Sequence, residues 1–241
     1  MLPDGLLETI ERHVVGVSTH RDALVAAGRH LSRGLLLWGP PGTGKTHTVR
    51  YLVGARPDAT VILLSGGALQ MAGGFVTMAR RLAPALLVLE DVDLVAEERT
   101  YGPFGSSPVL FDLMNQMDGL PGDADLTFVL TTNRADALEP ALAARPGRID
   151  LAVEIPLPDE RGRAGLLDLY GRGLELRLDD RDAVLARTAG VTASFLKELL
   201  RAAALHALAR GSAAVTDEDV ATILDRLLAD GASLTRVLLG G

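Results

Sequence analysis

The chain has 241 residues, no cysteine and a formal net charge of -7. That length suffices for one large domain or two small ones, and the lack of cysteine excludes disulfides and thiolate metal sites. Because the sequence has no basic block, no signal sequence and no apolar run near the roughly 18 residues that span a bilayer, we expect a cytoplasmic protein that contacts neither membrane nor nucleic acid.

Apolar runs alternate with helical stretches over the first part of the chain. The runs that predict β-strands are residues 34–38, 60–65, 85–90, 126–132 and 151–157. The stretches that predict helices between them are residues 46–55, 68–82, 109–117 and 140–145. Because the apolar runs show little polar alternation, they predict an α/β fold with a parallel five-stranded sheet that helices cover on both faces.

The pattern changes after Pro156 and Pro158, where the rest of the chain predicts helices only. The expected helix starts carry Asp, Thr or Ser, and the last stretch, TDEDVATILDRLLADG at 216–231, opens with a hydroxyl cap and acids in its first turn. We predict an α/β domain at residues 1–157, with a helical lead-in at 1–33, and a small all-helical domain at 158–241.

The stretch GPPGTGKT, residues 39–46, matches the phosphate-binding pattern G-x-x-x-x-G-K-[ST]. It follows a predicted strand and opens a predicted helix, so its glycines let backbone N–H groups turn toward phosphate oxygens. Lys45 should reach the β- and γ-phosphates, and the Thr46 hydroxyl should face Mg²⁺. The expected nucleotide contacts are Gly39, Pro40, Pro41, Gly42, Thr43, Gly44, Lys45, Thr46 and His47.

The third predicted strand, in the stretch ALLVLEDVD at 85–93, ends in two adjacent carboxylates, Glu90 and Asp91. One of them would bind Mg²⁺, which keeps waters and takes few protein ligands, and the other would orient the attacking water. The alternative is a solvated strand end without a ligand. We expect Asp93 to cap the following turn rather than to act in catalysis.

Polar residues also follow the fourth predicted strand. Asn133 lies at its carboxyl end, which lines the ligand crevice in a parallel sheet. It would contact the γ-phosphate or the attacking water, although an Asn after a strand is also a common turn residue. Arg145 and Arg148 follow in ARPGRID and are candidates for stabilising phosphoryl transfer, in cis or from a neighbour. The alternative is a pair of surface arginines on a loop.

The order of GPPGTGKT, LLVLEDVD, TTNR and ALAARPGRID resembles the AAA ATPases of the AAA+ superfamily, the subgroup typified by valosin-containing protein and the proteasomal ATPases. The resemblance implies a P-loop NTPase fold with a helical lid. It implies that GPPGTGKT is Walker A, that Glu90 and Asp91 are Walker B, and that Asn133 is sensor 1. The implied cofactors are ATP and Mg²⁺, with the metal held at Thr46 and Glu90.

The resemblance also implies partners and an adenine site. Arg145 and Arg148 would be fingers that reach a neighbouring subunit's nucleotide, which implies a homo-oligomeric ring, usually a hexamer. The stretch VVG at 14–16, with Val15 and Gly16, resembles the segment that packs on adenine. The stretch GVTASFL at 190–196 resembles the family's Gly-x-Ser-Gly-Ala-Asp-Leu, so Ala193 and Ser194 would lie at the adenine side of the lid.

The chain departs from the family pattern in three places: Ala193, Ser194 and Phe195 replace Gly-Ala-Asp in the lid, and the other two departures concern the pore and the acids. The family's pore loop carries an aromatic residue in a Lys-Tyr/Trp-Val-Gly-like stretch, which SGGALQMAGGFVTMAR at 65–80 lacks. Met71 and Phe75 are the candidates for a pore position there. Tyr101 and Phe104 are candidates for a second pore loop, with plain loop packing as the alternative. Walker B usually ends in Asp-Glu, and here it ends in Glu-Asp.

The reversed order of the acids predicts a specific effect on the reaction. If the backbone positions are kept, Glu90 serves the magnesium shell and the shorter Asp91 must reach the attacking water. Ligation through water absorbs an extra methylene, whereas a misplacement of about 1 Å in the base costs about 100-fold in rate. We therefore expect nucleotide binding to be largely intact and hydrolysis to be slow but real.

The leading function is an ATPase module of a ring-forming machine that remodels or translocates an unknown protein client. The alternative is a nucleotide-gated assembly scaffold that binds ATP and hydrolyses it slowly or not at all. A kinase on the same loop has no support from the sensor and finger motifs. About 33 residues precede the first predicted strand, so we expect a client-recognition domain to be missing or the chain to be a fragment.

Overall fold

The computed structural model of the chain describes residues 2–94, 115–117, 124–134 and 149–229. Within these ranges the backbone contacts separate two compact units. The first, the sheet unit, comprises residues 5–39 and 45–155, and the second, the helical unit, comprises residues 2–4, 40–44 and 156–229. Each unit is described by itself below.

The sheet unit is an α/β structure with parallel strands. Its helices are α1 (Leu6–Thr19), α2 (Arg21–Ala26), α3 (Lys45–Ala55) and α4 (Ala72–Arg81), with a 3₁₀ helix at Gly66–Met71. Its strands are β1 (Arg33–Trp38), β2 (Thr60–Ser65), β3 (Ala85–Glu90), β4 (Leu126–Thr132) and β5 (Leu151–Glu154). The strands form one sheet in the order β2-β3-β4-β1-β5, and every neighbouring pair is parallel. This confirms the predicted five-stranded parallel sheet.

Both faces of the central strands are covered. On β3, Leu87 and Leu89 join a cluster with α4 residues, while the alternate residues Leu86 and Val88 are equally buried. Successive side chains of a strand point to opposite faces, so a strand buried on both faces needs the continuous apolar run that the sequence has. Consistent with this, α4 contacts β2 and β3, whereas α3 contacts β3 and β4.

The observed elements differ from the predicted ones in two places in the sheet unit. The predicted helix at 68–82 is divided between the 3₁₀ helix and α4. Gly66, the first residue of the 3₁₀ helix, has a φ of 53°, a backbone conformation that favours glycine. The predicted strand at 151–157 ends at Glu154, because Pro156 has no N–H to donate to a sheet. Of the predicted helix at 109–117, residues 115–117 are described and are helical, and the predicted helix at 140–145 lies outside the described residues.

The helical unit contains α5 (Glu160–Tyr170), α6 (Arg181–Arg187), α7 (Ala193–Ala209) and α8 (Asp217–Ala229). The starts of three of them carry the capping side chains that the sequence suggested: Asp159, Asp180 and Thr192 each accept a backbone N–H from the first turn. The unit also has a two-stranded parallel sheet, β6 (Glu175–Arg177) and β7 (Ala214–Thr216), which the helical pattern did not predict.

Asp219 joins α7, β7 and α8. Its carboxylate is 1% exposed and accepts hydrogen bonds from Arg210 Nε at 2.7 Å and Nη2 at 2.6 Å, and from the Thr216 amide at 2.8 Å. His206 Nδ1 lies 2.9 Å from the same carboxylate. The Arg210 guanidinium, with these other partners, holds the pKa of Asp219 far below its usual range.

Replacing Asp219 by Asn is expected to lower the free energy of unfolding at pH 7 by about 2 to 3 kcal/mol, because buried partners lose a charged acceptor. The depressed pKa of Asp219 means that its contribution is fully present above the pKa of about 3.9 in the unfolded chain. The contribution then declines as the pH falls below that value. Urea unfolding at pH 7 and pH 3 should show the difference between wild type and variant shrinking in acid.

Asp225 on the same helix is the matched control, since its side chain is 73% exposed in its pair with Arg187. Asp225→Asn should change the unfolding free energy by less than about 0.5 kcal/mol at either pH. Equal effects of the two substitutions would refute the role assigned to Asp219.

Candidate functional site

The glycine-rich loop at 39–46 connects the central strand β1 to helix α3, which begins at Lys45. Its three glycines, Gly39, Gly42 and Gly44, have φ values of 144°, 77° and 116°. Side chains rarely adopt these conformations, so glycine lets the loop turn tightly at the amino end of a helix. The loop therefore has the backbone shape that turns N–H groups toward an anion.

Gly39 is required by a close approach as well as by its φ. A Cβ atom built on Gly39 would lie 2.3 Å from the carbonyl oxygen of Ile155, whose own amide donates to Trp38 O at 2.7 Å. Both backbones are fixed by the pairing of β1 with β5, so neither atom has room to move.

Gly39→Ala is accordingly expected to destabilise the protein by about 3 kcal/mol or to prevent folding, because the clash adds to an unfavourable φ. Gly54 on α3 is the matched control, since no neighbouring atom lies within 4 Å of its ideal Cβ and its φ is not positive. Gly54→Ala should stabilise the helix by about 0.5 to 1 kcal/mol. Thermal unfolding of both variants tests this contrast, and a Gly39→Ala protein as stable as wild type would contradict it.

The middle of the loop, residues 40–44, belongs to the helical unit because of its contacts with the start of α7. The Ser194 amide donates to Gly42 O at 3.1 Å, and an ideal Cβ on Gly42 would lie 3.0 Å from Ser194 Cβ. Ala193, the first residue of α7, is buried. The structure thus brings the predicted lid residue Ser194 to the middle of the loop.

Lys45 joins the loop to the polar end of β4. The residue is 6% exposed. Its ammonium group donates to Gly39 O at 2.8 Å and to Asn133 Oδ1 at 2.7 Å. In the sheet Trp38 pairs with Thr132, so Gly39 and Asn133 leave neighbouring strands side by side. Burial lowers the pKa of Lys45, while the charges of Asp91 and Asp93 act in the opposite direction.

Asn133 connects Lys45 to the acids that follow β3. While its Oδ1 accepts from Lys45, its Nδ2 donates to Asp91 Oδ1 at 3.3 Å. Burial raises the pKa of Asp91, as does the charge of Asp93, and the Lys45 charge and the Asn133 hydrogen bond oppose them. Three residues predicted separately from the sequence therefore form one hydrogen-bonded chain: Lys45, Asn133 and Asp91.

Glu90 ends β3 and points one oxygen into a buried position. Within the described residues, Glu90 Oε1 is inaccessible to solvent and has no hydrogen-bond partner. Such an orphaned acceptor costs free energy unless a cation or a donor approaches it, so it fits a role as ligand to a bound cation.

The other predicted ligand positions lie at the start of α3. Thr46 and His47 are both exposed there. No group of three or more His, Asp or Glu side chains gathers as a metal cage in the part of the chain that the structure describes. Magnesium does not require one, because it keeps several waters and takes one or two protein ligands. At Gly44 an ideal Cβ meets nothing within 4 Å, so open space adjoins the loop there.

Asp93 has a partner that the sequence did not suggest. We expected it to cap the following turn, but its Oδ1 accepts from Thr132 Oγ1 at 2.8 Å and from the Asn133 amide at 3.2 Å. It therefore fixes the end of β4, next to Asn133. Thr131 is a second residue that the sequence analysis missed: its hydroxyl accepts from the Asp91 amide at 3.0 Å. In the sequence, the one indication of a role for Thr131 and Thr132 is their position directly before Asn133.

Val15 and Gly16 lie far from the loop. They are inside helix α1, whose Val14 O accepts from Arg33 Nη2 at 2.7 Å. Arg33 begins β1, whereas the loop follows its other end, about 17 Å away at roughly 3.3 Å per residue. A contact of Val15 and Gly16 with adenine stays a prediction.

The remaining predictions divide between described and undescribed residues. Met71 is 60% exposed at the end of the 3₁₀ helix, while Phe75 packs partly against the core of the sheet unit. Arg145, Arg148, Tyr101 and Phe104 lie outside the described residues. Among the helices that are described, none is both long and apolar enough to pass through a bilayer.

The chain is similar to one family profile and to several known proteins. Residues 35–157 match the profile of the ATPase family associated with various cellular activities (AAA). A 26S proteasome regulatory subunit 8 from Caenorhabditis elegans is 33% identical over 214 residues, which cover 83% of this chain and 51% of that protein. An ATP-dependent zinc metalloprotease FtsH from Thermus thermophilus is 35% identical over 225 residues, 88% of this chain and 36% of that protein.

A third relative, an ATP-dependent zinc metalloprotease FtsH 3 from Sphaerobacter thermophilus, is 34% identical over 252 residues, which cover 97% of this chain and 50% of that protein. The chain thus spans from about a third to about half of the length of the curated relatives it matches.

Proposed function

The chain belongs to the ATPase family associated with various cellular activities (AAA), and from that premise we propose that it binds ATP with Mg²⁺ and hydrolyses it slowly as a subunit of a ring that remodels or moves proteins. The observation that carries the hydrolytic part is the chain of hydrogen bonds from Lys45 through Asn133 to Asp91. It places a cation, an amide and a carboxylate beside a phosphate-type loop, which is the set of groups that phosphoryl transfer uses.

The residues fit both implied cofactors. The left-handed glycines and the open space at Gly44 suit a phosphate chain, and the orphaned Glu90 Oε1 suits a magnesium shell completed by Thr46. The bound metal would supply charge neutralisation on the phosphates. The site assignments at Pro40, Pro41, Thr43, His47 and the lid residues Ala193 and Ser194 stay parts of this proposal.

Lys45 has hydrogen-bond partners that a phosphate would replace. Its ammonium donates to a backbone carbonyl and to an amide oxygen, both neutral acceptors. A phosphate oxygen is a stronger acceptor for the ammonium, because its negative charge adds the attraction of an ion pair to the hydrogen bond. We propose that Lys45 turns to the phosphates on binding and so releases Asn133 Oδ1.

Asp91 is the proposed proton acceptor for the attacking water. Its raised pKa brings its basicity nearer to neutral pH, where a general base is most efficient. Asn133 Nδ2 holds one carboxylate oxygen and leaves the other for the water. The shorter reach of Asp compared with the usual Glu is the reason for expecting slow turnover.

The proposal of a ring that acts on protein clients is based on the relatives and not on residues that the structure describes. The names of the relatives, 26S proteasome regulatory subunit 8 and zinc metalloprotease FtsH, support the proposal of a protein client. A cytoplasmic location without a nucleic-acid or membrane partner stays an expectation from the sequence. Arg145 and Arg148 are proposed as the fingers that complete a neighbour's site in a hexamer. The zinc protease activity of FtsH is not proposed, since the sequence contains no His-Glu-x-x-His.

The alternative function is a nucleotide-gated scaffold that assembles on ATP and scarcely hydrolyses it. The specific observation in its favour is the Glu-Asp order at 90 and 91. Light scattering after size exclusion, with ATP, ADP or no nucleotide, together with phosphate release on the same samples, separates the two. The proposal expects ATP-dependent assembly together with turnover, and a protein that stays monomeric with ATP would contradict the ring.

A further inference from the structure

Asp91 has a backbone conformation that needs an explanation. Its φ is 52°, and it is the only described residue other than glycine with a positive φ. Side chains in this left-handed region crowd the backbone, although Asp and Asn tolerate it better than other residues. Such conformations persist only where the surroundings fix them, and they cluster at functional sites.

Two backbone amides of this turn donate to the same residue, Thr131. The main-chain pairing between β3 and β4 ends at Leu89 and Leu130. Beyond it the Asp91 amide donates to Thr131 Oγ1 at 3.0 Å, and the Val92 amide donates to Thr131 O at 3.0 Å. The side chain and the backbone of one residue therefore hold two successive amides of the turn.

The Thr131 hydroxyl takes the place of a backbone carbonyl as acceptor for the Asp91 amide. Residue 91 has left the strand conformation, and the acceptor of its amide is the Thr131 side chain rather than a backbone carbonyl. Thr131 is 1% exposed, so bulk solvent does not reach its hydroxyl. Ser is the other residue that would provide an aliphatic hydroxyl as acceptor for the Asp91 amide at position 131.

We propose that Thr131 is a positioning residue for Asp91: its hydroxyl fixes the left-handed turn that aims the short carboxylate at the site of hydrolysis. The inference rests on the proposed ATPase function. It adds a structural feature to the Glu-Asp order, since the turn sets the direction in which the shorter Asp91 side chain leaves the backbone.

The test compares three substitutions on β4. Thr131→Val keeps the volume and removes the acceptor, and Thr131→Ser keeps the acceptor. Thr127→Val is the matched control, because Thr127 is equally buried on the same strand and its hydroxyl has no partner among the described residues. Phosphate release at saturating and limiting ATP gives kcat and KM for each variant.

We expect Thr131→Val to lower kcat by about 10- to 100-fold with KM within about threefold of wild type, because a misplacement of about 1 Å costs up to about 100-fold. Thr131→Ser should restore kcat to within about threefold, and Thr127→Val should leave both parameters unchanged. Thr131→Val also leaves the Asp91 amide without its acceptor, so it is expected to be less stable than Thr127→Val. Because partly unfolded protein lowers the apparent kcat at unchanged KM, kcat is calculated for the fraction of protein that thermal unfolding shows to be folded at the assay temperature.

Crystal structures of the Thr131 variants provide a readout that does not depend on turnover. In Thr131→Val, residue 91 should leave the left-handed region, and in Thr131→Ser it should keep it. If residue 91 keeps its conformation in Thr131→Val, or if that variant keeps the wild-type kcat while Lys45→Met abolishes turnover, the inference is wrong and the proposed function stands. If the wild type has no Lys45-dependent turnover, the proposed function fails and the positioning role fails with it.

Discussion

Replacing Lys45 by Met is expected to weaken ATP binding by at least about 100-fold, with turnover reduced to background. Lys45 is buried beside the loop, where its ammonium donates to Gly39 O and Asn133 Oδ1 and lies in position to donate to a phosphate instead. Each charge-assisted hydrogen bond contributes about 1.5 to 3 kcal/mol, and about 1.4 kcal/mol corresponds to a tenfold change in affinity.

The chain provides a matched control, since its only other lysine is Lys197, which is exposed on α7. Lys197→Met should bind ATP with wild-type affinity. Titration of each protein with a fluorescent ATP analogue in the presence of Mg²⁺ measures the two dissociation constants. If Lys45→Met binds the analogue within about threefold of wild type, the loop is not the phosphate site.

The two acids should respond differently to loss of their charge. Asp91→Asn is expected to lower kcat by about 100-fold or more while leaving ATP affinity within about threefold, since Asn can still accept the hydrogen bond from Asn133 Nδ2. The geometry is kept and the basicity is lost, so the effect isolates proton acceptance.

Glu90→Gln is expected to raise the Mg²⁺ concentration needed for half-maximal turnover by about tenfold, with a smaller loss of kcat at saturating metal, because a buried ligand oxygen is replaced by an amide. Phosphate release as a function of Mg²⁺ measures both effects. If Glu90→Gln abolishes turnover at all Mg²⁺ concentrations while Asp91→Asn barely changes it, the roles of the two acids are reversed.

Much of the sheet could be predicted from the sequence. The strands at 60–65, 85–90 and 126–132 have the predicted bounds, because continuous apolar runs between turn residues are what doubly covered strands require. The short strands β6 and β7 were missed, since three residues each are too few to show a period of two. Capping residues located the helices of the helical unit, whereas proline ended β5 earlier than its apolar pattern suggested.

The candidate site was predictable only in parts. GPPGTGKT is local in sequence, so its pattern alone predicts a phosphate loop. The hydrogen bonds of Asn133 reach Lys45, 88 residues away, and Asp91, 42 residues away, and they follow from the neighbouring positions of β1, β3 and β4 in the sheet. No local pattern encodes that strand order. Thr131 was missed for the same reason, because its partner is on another strand.

Phosphate release by the wild-type protein under single-turnover conditions, with enzyme in excess over Mg²⁺-ATP and Lys45→Met as the blank, tests the central claim most directly. The ATPase account predicts release that is slow but clearly above the blank, and that Asp91→Asn lowers by about 100-fold. Bound ATP that remains intact in the wild type, with no release above Lys45→Met, would contradict the account and leave the nucleotide-gated scaffold.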